Sequence, residues 1–315
     1  MSKQTNSKTI KTSIGGQAVI EGVMMRGPKL TALSVRMPDQ SISTETWDTP
    51  NSNKWYKKTP FIRGVFNFVE SLTDGYKSLM KAAEKAGLDD EEEEPSKFEQ
   101  KLRQLLGDKF MPFLQGCILL FSLAMALFFF AFLPTTLVGF FKDYINHPLA
   151  LSALEGLTKI AILILYLALI SNMSDIKRVF MYHGAEHKTI YTYEHGLPLV
   201  VENVRPFSTL HPRCGTNFLM IVMLISIFIF AFLGWPSLPV RIMSRIVLMP
   251  VVAGISYEII RYAGNHIEHP WVRRAILPGL LLQKLTTREP DDSQIEVAIA
   301  SLKAVLPPDE SHEQE

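Results

Sequence analysis

The chain contains 315 residues, of which 47% are hydrophobic and 20% are charged, and its formal net charge at pH 7 is +1. The apolar residues are gathered into blocks between charged stretches, which is typical of a membrane protein. The balanced charge gives no sign of a nucleic-acid-binding surface, and the two cysteines do not form the pattern of a disulfide framework. We therefore expect the lipid bilayer to be the main partner, and no nucleic acid.

Residues 1–60 are predicted to form a glycine-rich cytosolic unit. From Gly15 to Pro28, four glycines surround Glu21 and Arg26, which indicates a tight backbone path that presents these two charges. Weak alternation of apolar and polar residues at 34–36 and 41–43 predicts a small β-structure. Two interpretations of Glu21 and Arg26 stay open, because they would either contribute to a site or form an ion pair at a structural turn.

Residues 61–95 are predicted to form an amphipathic helix followed by an acidic linker. Apolar residues recur at the spacing of one helix face, namely Ile62, Val65, Phe66, Val69, Leu72, Leu79 and Met80. Such a helix would lie on the membrane or on a helical bundle. The acidic run that ends at Pro95 is interpreted as a solvated linker.

Residues 96–270 are predicted to form a membrane domain with four spans. The apolar blocks long enough to cross a bilayer lie at about residues 111–133, 151–170, 217–235 and 240–262. Lys and Arg are concentrated before the first block, in the loop 171–216 and after the fourth block, so both termini and this loop should face the cytoplasm. Residues 271–315 are predicted to form an interfacial helix, a short surface helix and a polar tail. The expected fold class is mainly α, a four-span bundle with amphipathic interfacial helices.

The loop 171–216 contains an H-x-x-E-H motif at His183-Gly184-Ala185-Glu186-His187. On a helix, the two histidines and the glutamate share one face, because they are three and four residues apart. The imidazoles can then bind a divalent metal, expected to be zinc, while Glu186 acts as general base toward a water, as in the inverted zincin signature. The alternative is a pair of interfacial histidines without a metal. Because the motif follows the second apolar block closely, one continuous helix is expected to carry it out of the membrane.

A zinc site of this kind needs a third protein ligand, for which three candidates are open. Glu258, near the end of the fourth block, returns to the same side of the membrane. Glu194 follows His187 by seven residues and shares its face if the helix continues. His211 lies in a tight loop that leads into the third block.

Three further residues near these candidates have two interpretations each. Cys214 would be a soft metal ligand or a nucleophile, or it would only be a buried thiol. Arg213 and Arg261 would bind an anionic group of a substrate, or they would only mark the cytoplasmic side.

As a set, these motifs resemble the YqhQ-like family of bacterial multi-pass membrane proteins. The resemblance extends from about residue 14 to residue 302 and rests on four segments: GGQAVIEGVMMRGP from Gly15, HGAEHK from His183, HPRCGT from His211 and SYE from Ser256. It implies a protein of the bacterial cytoplasmic membrane. It also agrees with a metal, because the family is described as metal-dependent enzymes of unassigned reaction. It implies neither a substrate nor a third ligand.

These observations predict a metal-dependent integral membrane hydrolase that acts on a peptide, an amide or a lipid ester. One alternative is a non-catalytic scaffold or biogenesis factor with a structural metal or none. Another is a transporter, although the apolar blocks lack broken helices and ionisable groups at mid-membrane. The length requires no oligomer, and a homo-oligomer or a membrane-protein partner stays open.

Overall fold

The computed structural model describes residue 12 and residues 14–50, 54–87 and 97–307. The predicted acidic linker and the C-terminal tail from residue 308 lie outside these residues. The chain divides into two compact units. The first unit comprises Met1–Leu88, Tyr166–Val222 and Pro250–Glu315, and the second comprises Asp89–Leu165 and Met223–Met249.

The first unit begins with a four-stranded antiparallel sheet, and the predicted β-structure is therefore confirmed. Its strands are adjacent in chain order, β1 (Gly15–Val19), β2 (Gly22–Arg26), β3 (Leu30–Arg36) and β4 (Ile42–Asp48). A two-residue turn joins β1 to β2, and Glu21 in this turn has a positive φ of 49°. At Gly22, a Cβ would lie only 2.5 Å from the backbone oxygen of Ser34, so the glycine allows β2 and β3 to approach.

The described residues are mainly helical, as predicted. The α-helices are α1 (Trp55–Lys58), α2 (Ile62–Lys85), α3 (Lys97–Leu106), α4 (Phe110–Leu127), α5 (Leu133–Gly139), α6 (Pro148–Ile170), α7 (Ser174–Glu194), α8 (Val201–Val204), α9 (Gly215–Ala231), α10 (Leu238–Asn265), α11 (Pro270–Ala275), α12 (Leu277–Thr286) and α13 (Asp292–Lys303). A 3₁₀ turn at Gly107–Lys109 precedes α4, and a π-helical turn at Phe128–Phe132 joins α4 to α5.

The sheet is covered on both faces, because alternate residues of a strand point to opposite sides. Met24 and Leu33 belong to a buried cluster with Ala82 of α2. Met25 and Ala32, one position along their strands, belong to a second cluster that includes residues of α7 and α13. The helix expected at the surface near the C-terminus is instead buried, and its core residues are Ile295, Val297, Ala298 and Leu302. A capping box between Asp291 and Gln294 defines its start.

Helix α2 packs through small residues. Its buried positions are Gly64, Gly75, Ser78 and Ala82. The large apolar side chains that predicted the helix are mostly exposed, among them Phe66, Val69, Leu72 and Met80. The predicted helix is therefore present, but its apolar face is mostly exposed and not covered by other parts of the protein.

Three helical segments among the described residues are long and apolar enough to cross a membrane, Phe110–Gly139, Pro148–Ile170 and Leu238–Asn265. The remaining predicted span forms α9, which has 17 residues and is shorter than these three. It ends at Ala231 because Gly234, with a φ of 68°, and Pro236 follow closely.

The second apolar block and the H-x-x-E-H motif lie on separate helices, which differs from the expectation of one continuous helix. Helix α6 ends at Ile170, and Met173, in an extended conformation, precedes α7. Ser171 and Asn172 both donate side-chain hydrogen bonds to the backbone oxygen of Ala168, at 3.0 and 2.6 Å. These bonds satisfy a carbonyl group that a helix end leaves without a partner, and so they favour the break.

Candidate metal centre

Helix α7 carries the H-x-x-E-H motif into the interior of the first unit. The segment from Gly184 to Ile190 is buried, and Glu186 and His187 are 4% and 1% exposed. Gly184 allows this burial, because a Cβ there would lie 2.0 Å from the backbone oxygen of Arg288. The backbone N–H of Arg288 also donates to the oxygen of Phe180 at 2.8 Å, which fixes the segment after α12 against α7.

The orientation of His183 is set by a backbone carbonyl. Its Nδ1 lies 2.8 Å from the oxygen of Thr286, at the end of α12. A carbonyl oxygen can only accept a hydrogen bond, so Nδ1 carries the proton and Nε2 has a free lone pair when the ring is neutral. That Nε2 lies 3.2 Å from Sγ of Cys214.

His187 repeats the same arrangement. Its Nδ1 donates to the backbone oxygen of Thr209 at 2.5 Å. Its Nε2 is buried and has no hydrogen-bond partner among the described residues. Burial lowers the pKa of His187, so the ring is held in the neutral form. Both imidazoles thus direct Nε2 toward the site, and a neutral imidazole with Nδ1 protonated binds a metal through this atom.

Cys214 is the third member of the cluster. It directly precedes α9, and its Sγ accepts a hydrogen bond from the backbone N–H of Thr216 at 3.4 Å. A helix N-terminus favours negative charge at this position. The ligand atoms of His183, His187 and Cys214 all lie within 4.8 Å of one another, and we call these three residues the His–His–Cys site.

Glu186 lies beside this site but is held by the N-terminal sheet. Its Oε2 is 4.0 Å from Nε2 of His183, and the backbone of Gly16 hydrogen-bonds to its carboxyl group. A Cβ at residue 16 would come within 2.8 Å of that carboxyl group, so β1 can cover it only with glycine. Burial raises the pKa of Glu186, and the nearby His183 opposes this rise.

Two of the predicted ligands, His211 and Glu194, form a neighbouring pair. The ring centroid of His211 is 5.5 Å from that of His187, and its Nε2 is 3.7 Å from Oε2 of Glu194. Burial lowers the pKa of His211 to about 4. Glu194 also forms an ion pair with Arg213. Neither His211 nor Glu194 belongs to the group of ligand atoms formed by the His–His–Cys site.

Glu258, the ligand predicted from topology, is engaged elsewhere. Both of its oxygens bind Arg63, and Oε1 also accepts from the backbone N–H of Phe61 at 3.2 Å. Helix α10 thus directs this carboxylate to the start of α2 and not into the His–His–Cys site. Arg261, one turn further along α10, is exposed.

One interpretation of the sequence supposed an ion pair between Glu21 and Arg26. The structure instead gives each of them a different partner. Glu21 accepts two bonds from Arg178 of α7, each of 2.5 Å, and one from the hydroxyl of Tyr182 at 3.2 Å. Arg26 binds two carboxylates of α2, Glu70 and Asp74, at 3.3 and 3.4 Å. Both charges therefore connect the sheet to a helix.

Gln283, which no sequence motif marks as a site residue, fixes the loop between His211 and α9. Its side-chain oxygen accepts from the backbone N–H of His211, and its amide donates to the oxygen of the same residue, both at 2.8 Å. The amide also donates to Asn217 at 3.1 Å. No local pattern distinguishes such a glutamine, because its role depends on a loop some seventy residues earlier in the chain.

A cavity of about 830 Å³ borders the His–His–Cys site and reaches Glu186. Part of its wall is apolar and comes from Leu72, Leu79 and Phe180. Arg213 also lines it. The site therefore faces a space that is large enough for an organic molecule and has both apolar and cationic surfaces.

Comparison with known proteins identifies relatives but no assigned activity. Residues 59–308 match the family model described as "Protein of unknown function (DUF1385)". The chain is 36% identical over 299 residues to the uncharacterized protein YqhQ of Bacillus subtilis (strain 168), which covers 94% of this chain and 93% of the relative. No solved structure matches the chain.

Proposed function

Since the chain belongs to the DUF1385 family, whose description assigns no function, we propose its function from the site: a metal-dependent integral membrane hydrolase. In this proposal His183, His187 and Cys214 bind the metal, and Glu186 acts as the general base. Cys214 is thus the third metal ligand in this proposal, a role for which the sequence had offered Glu258, Glu194 and His211.

The observation that carries the proposal is the matched state of the two histidines. Each donates Nδ1–H to a backbone carbonyl, that of Thr286 or Thr209, which leaves Nε2 as the atom that faces the site. Nε2 of His183 contacts Sγ of Cys214, and Nε2 of His187 has no hydrogen-bond partner among the described residues. Leaving the Nε2 of His187 buried without a partner costs about 1–3 kcal/mol, which a bound metal would offset. Carbonyl partners of this kind are usual for metal-binding histidines.

The donor set fits zinc. Two imidazole nitrogens and one thiolate are ligands that zinc prefers, and three protein ligands leave a fourth position open, as in catalytic zinc sites. A zinc ion bound there would raise the acidity of a water molecule and polarise the bond to be cleaved. A site with four protein ligands would instead indicate a structural role.

Glu186 is suited to receive and return a proton. Burial raises the pKa of its carboxyl group, which makes the carboxylate a stronger base toward a water molecule. Gly16 holds the carboxyl group from the side of the sheet, so its position is fixed before a substrate binds.

The adjoining cavity favours a substrate with an apolar part and an anionic part. Leu72 and Leu79 offer an apolar wall, and Arg213 offers a cation whose charge Glu194 partly neutralises. The exposed apolar side chains of α2 would lie in a membrane surface and admit such a molecule from the lipid.

We further propose that α9 is a fourth span, with both termini on the cytoplasmic side of a bacterial cytoplasmic membrane. A helix of 17 residues is about 26 Å long, at the lower limit for crossing the hydrocarbon core. The concentration of Lys and Arg around the loop 171–216 supports this orientation, which leaves the His–His–Cys site facing the cytoplasm.

The test of the proposal is the metal content of the full-length protein, purified without added metal. We expect about one zinc ion per chain in the wild type, as a catalytic site with three protein ligands holds one ion. The variants His183→Ala, His187→Ala and Cys214→Ser should each lose it. Cys117→Ser is the matched control, because Cys117 is exposed on α4. Glu258→Gln should also keep the metal, since its carboxylate binds Arg63.

A freshly purified wild type without any bound metal would refute the site. Catalysis is tested separately with Glu186→Gln, which should retain the metal and lose the cellular function of the gene. If Glu186→Gln retains both, the metal has a structural role and the protein acts as a scaffold.

A further inference from the structure

Among the described residues of the second unit, a buried carboxylate is surrounded by three cations. Glu155 of α6 is 1% exposed, and Lys159, one turn later, lies 3.0 Å from its Oε1. Arg245 of α10 binds the same oxygen, and Nη1 of Arg241 lies 3.7 Å from Oε2. We call Glu155, Lys159, Arg241 and Arg245 the charge cluster. It is separate in sequence from every residue of the metal centre.

The cations of the charge cluster outnumber the carboxylate. Arginine stays protonated in proteins, so Arg241 and Arg245 alone leave one positive charge uncompensated, and Lys159 adds a second. The side chains of the three cations are only 10–14% exposed. Unpaired charge in such a position is unfavourable and indicates a functional group in helices that cross a membrane.

The hydrogen bonds of the cluster are incomplete as well. Nε and Nη1 of Arg241, Nε of Arg245 and Oε2 of Glu155 are buried and have no hydrogen-bond partner among the described residues. The guanidinium of Arg241 lies 3.7 Å from the ring centroid of Trp235, and Phe230 lies under Lys159 and Arg245 at 5.9 and 5.7 Å. Aromatic faces attract cations, but they do not satisfy several N–H donors at once.

From this geometry we infer that the charge cluster binds a phosphate group. A phosphate brings the one or two negative charges that the cluster lacks and the acceptor oxygens that its unpaired N–H groups require. Two guanidinium groups are suited to it, because their planar N–H pairs match phosphate oxygens. Glu155 then has the role of holding Arg245 and Lys159 in place.

The position of the cluster along its helices gives access to two sources of phosphate. Arg241 and Arg245 are the fourth and eighth residues of α10, so they lie about 5 and 11 Å from its start. A helix of 28 residues is about 42 Å long, comparable with a bilayer including its headgroup layers. The two arginines thus lie close enough to the membrane surface for a phospholipid headgroup or a free phosphate ion.

The experiment uses the full-length protein in detergent, depleted of lipid and free of phosphate buffer. Thermal unfolding is followed while inorganic phosphate, or separately a short-chain phosphatidic acid, is added at constant ionic strength set with chloride. We expect saturable stabilisation of the wild type. Arg241→Gln should lower the apparent affinity for the phosphate compound by about tenfold or more, since the substitution removes charge-assisted hydrogen bonds. Arg241→Lys keeps the charge without the planar donor pair, so its apparent affinity should lie between those of the wild type and Arg241→Gln.

Lys142→Gln serves as the control, because Lys142 is an exposed cation in the connector after α5 of the same unit. It should behave as the wild type does. Stabilisation by phosphate alone would identify a soluble ion as the ligand, and stabilisation by the lipid alone would identify a headgroup. The inference is overturned if neither compound stabilises the wild type beyond chloride, a result that does not depend on whether any variant folds. Equal stabilisation of the wild type and Arg241→Gln would overturn it too.

Discussion

Replacing Gly184 within the H-x-x-E-H motif tests how the His–His–Cys site is held together. In an isolated helix, Gly→Ala stabilises by about 1 kcal/mol, because alanine has the higher helix propensity. In this protein a Cβ at residue 184 would lie 2.0 Å from the backbone oxygen of Arg288. Ordinary contacts at a Cβ are 3.4–4 Å, so the backbone near Arg288 would have to move by roughly 1.4 Å.

The packing cost should exceed the gain in propensity. Overpacking of an interior costs about 1–3 kcal/mol, and the upper part of this range applies because backbone, not a flexible side chain, must move. We therefore expect Gly184→Ala to be destabilised by about 2 kcal/mol in total, equivalent to a decrease of roughly 4–8 °C in apparent melting temperature. The same movement displaces Thr286, whose carbonyl orients His183, so metal affinity should fall by about tenfold or more.

The assay combines thermal unfolding with metal titration of the purified protein. Gly116→Ala is the matched control, because Gly116 is also a helical glycine and no atom lies within 4 Å of its added Cβ. This control should keep the wild-type metal affinity and a melting temperature equal to or above that of the wild type. If Gly184→Ala is as stable as Gly116→Ala and binds metal equally well, the close contact between α7 and Arg288 is wrong.

Two further predictions concern pH and topology. His211 is held neutral in the folded protein with a pKa of about 4, against 6.5 in the unfolded chain, so the unfolded state takes up the proton first as pH falls. In metal-free protein, the contribution of His211 to the free energy of unfolding should be complete above about pH 6.5 and be lost toward pH 4, by up to about 3 kcal/mol. The pH profile of His211→Asn should lack this contribution, and equal profiles would contradict the burial of His211. A reporter inserted after Gly196 should read cytoplasmic and one after Asp143 should read exported, and the reverse pattern would overturn the proposed orientation.

Periodic features of the sequence predicted the elements of the fold well. Alternation and glycine spacing indicated a small β-structure, which is the sheet β1–β4. Apolar length indicated the membrane helices, three of which meet the length of a span. Both signals are local, because a strand or a span is defined by residues adjacent in sequence. The burial of α13 could not be predicted from such local signals, because its partners β2 and α7 lie far away in the chain.

The candidate site could be predicted only in part, for the same physical reason. The shared face of His183, Glu186 and His187 follows from helix geometry alone. The proximity of Cys214 depends on the loop that Gln283 fixes, and no spacing rule carries that information. Glu258 was selected because it returns to the same side of the membrane, but the nearby Arg63 binds its carboxylate. Location on the same side of the membrane thus limits which residues can form a contact, but it does not determine which of them do so.

The burial of α13 against β2 and β3 has a consequence for synthesis of the chain. The sheet ends at Asp48, whereas α13 begins at Asp292, about 240 residues later. At translation rates of about 5–20 residues per second, the part of the sheet that α13 covers waits roughly 12–50 s for this helix. During this interval the edge and apolar face of the sheet are exposed to other chains. Deletion of the last 25 residues would therefore remove Ile295, Val297, Ala298 and Leu302 from the core of the first unit.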